Sequence, residues 1–205
     1  YNINIKIMIL IINCTKGLEF VFVQNDKVIF KKNSKQLKNI SEKLVLEIEK
    51  ALSKLKLGYK SIKKIIVITG PGSFTGIRSS ITFVKILNLY LKIKVLGLSK
   101  FEILNLLTNN VNKTGLKEIF IESDQDIFFF QKFNSHGRAV SVPELVDLNK
   151  KNIMIKGKKR IISDAPRIRK YLDFKEKINK DAFIEIIGYR IEDLNKVTKR
   201  LSEKK

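Results

Sequence analysis

Apolar positions along the chain alternate between two spacings, continuous or every-second-residue runs and recurrences at steps of three and four, and the alternation predicts the elements. Residues 5–12 read as a buried strand; Leu18-Glu-Phe-Val-Phe-Val23 and Lys27-Val-Ile-Phe-Lys31 read as its hairpin neighbours, with Gln24-Asn25-Asp26 turning between the last two. Together these make an N-terminal antiparallel ribbon. A helix is expected from about 35 to 56, because Leu37, Ile40, Leu44, Ile48, Leu52 and Leu55 fall on one face. Asn33 or Ser34 would cap its start and Gly58 would end it. The β-branched run at 64–69 (Lys-Ile-Ile-Val-Ile-Thr) has the character of a central strand, and the stretch after it opens a second helix to about 91. A strand at 93–98 and a helix from Ser99 to Asn109, capped by Ser99, follow.

The pattern then restarts. Residues 117–122 and 127–133 read as strands around a turn at Asp124-Gln125-Asp126. A short helix is expected at 143–149, introduced by Pro143, then strands near 152–155 and 159–163 and a last helix at roughly 180–201. The expectation is an α/β protein of two β/α halves, 1–98 and 99–205, with the boundary between 99 and 116. No Pro/Gly-rich linker separates the halves, so they are expected to pack closely.

Composition narrows the classes. With 205 residues and 44% hydrophobic content, the chain can fill a core and is not a disordered polymer. The apolar run Ile7–Ile12 is far shorter than the roughly 18 residues of a membrane span and lacks the cleavage site of a signal peptide. A single cysteine, Cys14, excludes an internal disulfide, and no Cys/His group has zinc spacing, which points to the cytoplasm and to no metal. The formal charge of +21 invites a nucleic-acid reading. Of the 41 basic residues 34 are lysine, alongside abundant Ile, Asn and Phe, which is the usage AT-rich codons would impose.

The most distinctive local sequence is Gly70-Pro71-Gly72-Ser73-Phe74-Thr75-Gly76-Ile77-Arg78. Glycines ahead of a helix can present backbone N–H groups to a phosphate. However, Ile77 stands where a P-loop needs lysine, and the glycines are one residue too widely spaced for the dinucleotide fingerprint. A tight turn that lets the helix pack close to the sheet is the other reading. The helix that follows is apolar on nearly every side, including Ile81 and Val84, so its outward face is expected to meet another subunit. Catalytic groupings are scarce. His136 lies in a polar loop without an evident nucleophile, Asp124 and Asp126 fit a solvated turn, and Cys14 follows a strand end where it would pack. No catalytic residue and no cofactor is assigned.

The first strand running into Asn13-Cys14-Thr15-Lys16, the hairpin, the long helix and the strand leading into GPGSFTGIR together resemble the TsaB family, also called YeaZ. The loop is the specific part, and the resemblance covers about residues 8–133. It implies an actin-like (ASKHA, ribonuclease H-like) fold of two similar halves, without an ATPase insertion. It also implies a non-catalytic subunit that dimerises with TsaD and works with the ATPase TsaE to place a threonylcarbamoyl group on N6 of adenosine 37 in tRNAs reading ANN codons. tRNA would be met through the complex, and a homodimer of the free chain stays open. On that resemblance Gly70, Pro71, Gly72, Ser73, Phe74, Thr75, Gly76 and Arg78 carry the motif. Ile81, Val84, Leu44 and Ile48, on helices 75–91 and 35–56, belong to the expected partner surface.

Four features depart from the family pattern. Asn13 stands where relatives commonly carry Asp, Lys32-Asn33-Ser34-Lys35 stands where they often carry histidines before the first long helix, the chain stops at Lys205 short of a usual Pro-x-Tyr-x-Arg-like tail, and Tyr1–Ile7 precede Met8, where relatives typically begin. Two other classes remain as alternatives, an actin-like small-molecule kinase or ATPase and a basic tRNA-binding module.

Overall fold

A computed structural model describes residues 7–34, 39–108, 116–124, 126–149, 159–168 and 183–194. The described chain divides into two units. Residues up to Ser99 together with Arg190 and its successors form the first, and Lys100–Tyr189 form the second. The division after Ser99 lies beside the expected boundary, but the segment from Arg190 returns to the first unit and does not stay with the second half.

In the first unit, β1 (Met8–Asn13), β2 (Leu18–Gln24) and β3 (Lys27–Ser34) form an antiparallel meander. The turn between β2 and β3 is made by Asn25 and Asp26, both left-handed, the geometry a two-residue hairpin requires. Beyond β1 come β4 (Ile62–Ile68) and β5 (Lys94–Leu98), both parallel to it, so the sheet order is β3-β2-β1-β4-β5. Helices α1 (Ile40–Lys54) and α2 (Phe74–Leu91) supply the crossovers. One face of the sheet, carrying Met8, Leu10, Ile12, Phe20, Phe22, Ile65 and Val67, packs with Ile40, Leu44, Ile48 and Leu52 of α1 and Phe83, Val84 and Leu87 of α2. Each such side chain contributes about 1.5–3 kcal/mol by leaving water.

Two details of α1 differ from expectation. Asn33 and Ser34 do not cap it, because β3 stays paired with β2 as far as Ser34 and the Asn33 amide donates to Glu19 Oε1 at 3.3 Å. Nor does Gly58 end it. Lys56 takes the left-handed conformation two residues earlier, and Leu57 N–H closes the turn on the Leu52 carbonyl at 2.9 Å.

The second unit repeats the topology. Strands β6 (Leu116–Asp124), β7 (Ile127–Phe133) and β8 (Glu144–Asp147) are antiparallel, while β9 (Lys159–Ser163) and β10 (Phe183–Ile186) run parallel to β6. The order β10-β9-β6-β7-β8 mirrors the first sheet. Phe120, Phe128, Phe130, Val146 and Ile161 form a core on one side, and Ile119, Ile121, Phe133 and Ile162 meet Phe101 and Leu104 of α3 (Lys100–Leu107) on the other.

Two sequence expectations fail here. The helix expected at 143–149 is the edge strand β8, in which Val146 is buried opposite Phe128 while Leu145 points out; two-residue alternation wins over a short helical pattern. In the helix expected at 180–201, Phe183–Ile186 instead pair with β9 as β10, and Ile191–Asp193 form a 3-10 turn. The remainder of that span, and the strand expected at 152–155, lie outside the described residues.

Candidate functional site

The GPGSFTGIR loop joins β4 to α2 and is defined by how closely it approaches the chain after β1. Gly70 has φ +111° and Gly72 φ +156°, conformations in which a side chain is strained. A Cβ on Gly72 would stand 2.6 Å from both the Cβ and the carbonyl oxygen of Thr15, and one on Gly76 would collide with the Cys14 carbonyl. The first turn of α2 therefore rests directly on backbone, at a distance that glycine alone permits.

Hydrogen bonds fix the same approach. Ser73 N–H donates to the Thr15 carbonyl at 2.8 Å, and the Ser73 hydroxyl, as the α2 cap, accepts from Gly76 N–H at 3.3 Å. A phosphate cradle needs such N–H groups aimed outward. These two are engaged within the protein, which favours the close-packing reading of the loop over the phosphate reading.

Beside the loop, Asn13 closes β1. Its Oδ1 accepts from Thr15 N–H at 3.2 Å and from the Thr15 hydroxyl at 2.8 Å, and its Nδ2 donates to Glu19 Oε2 at 3.1 Å. Burial pushes the Glu19 carboxyl above its ordinary value of 4.5, partly offset by the Asn13 hydrogen bond. Both ends of the amide are thus engaged. An aspartate at position 13 would offer no donor to Glu19 and would set two carboxylates against each other. Cys14 is buried, and burial raises its thiol to about 12, so it is a packing residue with no reactive thiolate.

The residues selected from the sequence do not share one environment. Phe74, Thr75 and Arg78 are exposed or half-buried and Ile81 is half-buried, but Val84, Leu44 and Ile48 belong to the core of the first unit. They occupy the inward stripes of α1 and α2 and so cannot form a partner surface. The apolar residues that do face outward are Phe74 (76% exposed), Ile86, Leu89 (62%) and Tyr90 (76%) on α2, with Val45 and Leu46 on α1. Ile86, Leu89 and Tyr90 fall at three- and four-residue spacings, a stripe that the two-sided apolarity of α2 signalled without saying which residues would be outside. His136 is exposed, with Ser135 Oγ 3.4 Å from its Nδ1, in a turn where Asn134 Oδ1 accepts the His136 and Arg138 N–H groups. No described helix is long and apolar enough to cross a membrane.

The chain is similar to known proteins in both sequence and fold. A family model described as TsaD, tRNA N6-adenosine threonylcarbamoyltransferase, matches residues 32–116. The tRNA threonylcarbamoyladenosine biosynthesis protein TsaB of Buchnera aphidicola subsp. Schizaphis graminum (strain Sg) is 37% identical over 84 residues, which are 41% of this chain and 40% of that protein. The matched stretch thus spans well under half of the curated relative. Two solved structures from Pseudomonas aeruginosa align over 97% of this chain and 93% of theirs. One is described as an uncharacterized protein with similarity to peptidase YEAZ (TM-score 0.65, 14% identity) and the other as YeaZ (0.64, 15%). The chain has the α/β fold of those structures, and in sequence it resembles the TsaB (YeaZ) family.

Proposed function

We propose that this chain is a non-catalytic partner subunit in the formation of threonylcarbamoyladenosine on tRNA, pairing with a TsaD-type transferase through the outer stripe of α2. The observation that carries the pairing is the exposed row Ile86, Leu89 and Tyr90, with Phe74 at the start of the same helix. Large apolar side chains held in water on a rigid helix gain when a partner covers them, and aromatic residues such as Tyr90 are frequent anchors of such interfaces. The glycine loop supports the same reading. The Ser73 and Gly76 N–H groups are bonded within the protein, so the loop's effect is to seat α2 firmly on the sheet and hold that row in place. The metal and transfer chemistry would lie in the partner, the ATPase TsaE would join the complex, and the setting would be the cytoplasm.

Co-expression with the TsaD of the same genome should yield a co-purifying heterodimer. The double variant Leu89→Asp and Tyr90→Asp should abolish it while keeping the far-ultraviolet circular dichroism of the parent. A complex that survives both substitutions would remove α2 as the interface. A chain that pairs but fails to restore modified tRNA in cells depleted of their own TsaB would remove the functional assignment.

A further inference from the structure

From Lys50 to Phe101 the chain contains 11 lysines and arginines and not one aspartate or glutamate. The fold gathers most of that charge at one place. Helix α1 ends at Lys54 and leads by a short turn into β4, and α2 ends at Leu91 and leads into β5. Both helix C-termini and both strand starts therefore lie at the same end of the first sheet, opposite the end that carries the glycine loop. Lys54, Lys56, Lys60, Lys63, Lys64, Lys92 and Lys94 all belong to these segments, and all but the half-buried Lys64 are exposed.

Part of this has a local explanation. A lysine at a helix C-terminus is favourable to the helix dipole, which accounts for Lys54, Lys56 and Lys92. It does not account for Lys64 and Lys94. These are register partners on the adjacent parallel strands β4 and β5, a like-charged pair on one rung. Facing cross-strand charges of one sign destabilise a sheet. Here burial, and then the charge of Lys94, hold the Lys64 ammonium below its ordinary range. Among the described residues neither has an ion-pair partner, and the hydrogen bond within the group is Lys63 Nζ to the Lys60 carbonyl at 3.3 Å. Two acids are near: Asp26 in the β2–β3 turn, with β2 and β1 between it and β4, and Glu49, close enough to act on the Tyr59 hydroxyl beside Lys60, whereas the charge acting on Lys64 is that of Lys94.

We propose that this end of the first sheet, centred on Lys60, Lys63, Lys64 and Lys94, is a docking surface for the phosphodiester backbone of RNA. A chain of phosphates supplies closely spaced anions without requiring side-chain pockets, and it would relieve the Lys64–Lys94 repulsion that the fold otherwise carries. The apolar row on α2 has the mixed apolar and aromatic character of a protein interface. Leu89 and Tyr90 in the last turn of α2 and Ile7 ahead of β1 border this end, but the stretches 54–64 and 92–94 that carry the seven lysines expose no large apolar side chain and contain no acid, and that favours a polyanion over an apolar protein face as their occupant. The proposal is independent of whether α2 meets a transferase.

The test measures the affinity of the full chain for an unmodified tRNA transcript by fluorescence anisotropy across a salt series. Lys60→Gln, Lys64→Gln and Lys94→Gln are combined in one variant, and Lys16→Gln, at the opposite end of the first sheet, Lys43→Gln and Arg138→Gln in a charge-matched control. The log–log salt slope of the first variant should fall in magnitude by about 2–3, near one for each phosphate no longer neutralised, and that of the control by less than about one. Lys94→Gln alone, at an exposed position, should lower the slope by about 1 and serves if the triple variant is unstable. Equal reductions in both triple variants would reduce the effect to diffuse net charge and overturn the proposal. So would an unchanged RNA slope accompanied by abolished binding to poly-glutamate, which would reassign the surface to an acidic protein.

Discussion

The two units build the same corner from opposite materials. In each, the loop after the fourth strand of the repeat reaches across to the end of the first. In the first unit that loop follows β4 and touches the chain after β1 through backbone, with Ser73 N–H on the Thr15 carbonyl and glycines at the points of closest approach. In the second it follows β9 and reaches β6 through a side chain. Asp164 Oδ1 accepts Glu122 N–H at 2.8 Å, and Asp164 Oδ2 stands 3.6 Å from the buried ammonium of Lys100. The first corner depends on the absence of atoms and the second on the presence of a charge pair. Each is therefore sensitive to a different class of substitution.

The largest effect is expected where glycine cannot be replaced. Gly76→Val drives a branched side chain into the Cys14 carbonyl and should destabilise the chain by more than about 4 kcal/mol, leaving little folded protein in urea titrations. Asp164→Ala leaves the Lys100 ammonium buried without this carboxylate and should cost about 3 kcal/mol in the same titration. If Asp164→Ala proved the more damaging of the two, the contrast between the corners would be reversed.

A smaller effect is expected at Asn13. Asn13→Asp replaces the donor to Glu19 by a second carboxylate and should cost about 1–2 kcal/mol at neutral pH, less in acid where one group is protonated. The parent itself should lose stability as pH rises from about 4.5 through the raised value of Glu19. Over that window the folded state holds a proton that the unfolded state has released. Glu19→Gln should flatten this part of the stability–pH curve, and a curve unchanged by that substitution would place the titrating group elsewhere. The smallest effect is expected at Gly58, where a Cβ meets nothing within 4 Å. Gly58→Ala should change stability by less than about 0.5 kcal/mol, in contrast to the loop glycines.

Much of the first unit was legible in sequence because its signals are redundant. Ile65–Ile68 form a continuous apolar run, and Ile40, Leu44, Ile48 and Leu52 recur at helical spacing, so local preference and burial agree. The second unit was less legible where the pattern is short. Pro-Glu-Leu-Val-Asp satisfies a helix start as well as an edge strand, and what decides is β7 offering its free edge to Val146. At the candidate site the loop was visible by its glycines, but which residues of α1 and α2 face outward was not. Because α2 is apolar almost all round, Val84 and Leu89 look alike until the sheet beneath them fixes the rotation of the helix. The Asn13–Glu19 bond could not be read either, since it depends on the register that sets Asn13 opposite Glu19.

The return of Arg190 and its successors to the first unit has a consequence for how the chain is made. Ile191–Asp193 lie against β1 and β2, and Glu192 binds Lys31 at 2.9 Å. A ribosome releases β1 and β2 long before it reaches Arg190. At about 5–20 residues per second, the first sheet waits roughly 5–20 s for the segment that covers it. During that interval the second unit can be finished and the first cannot, so the half translated first is the half completed last.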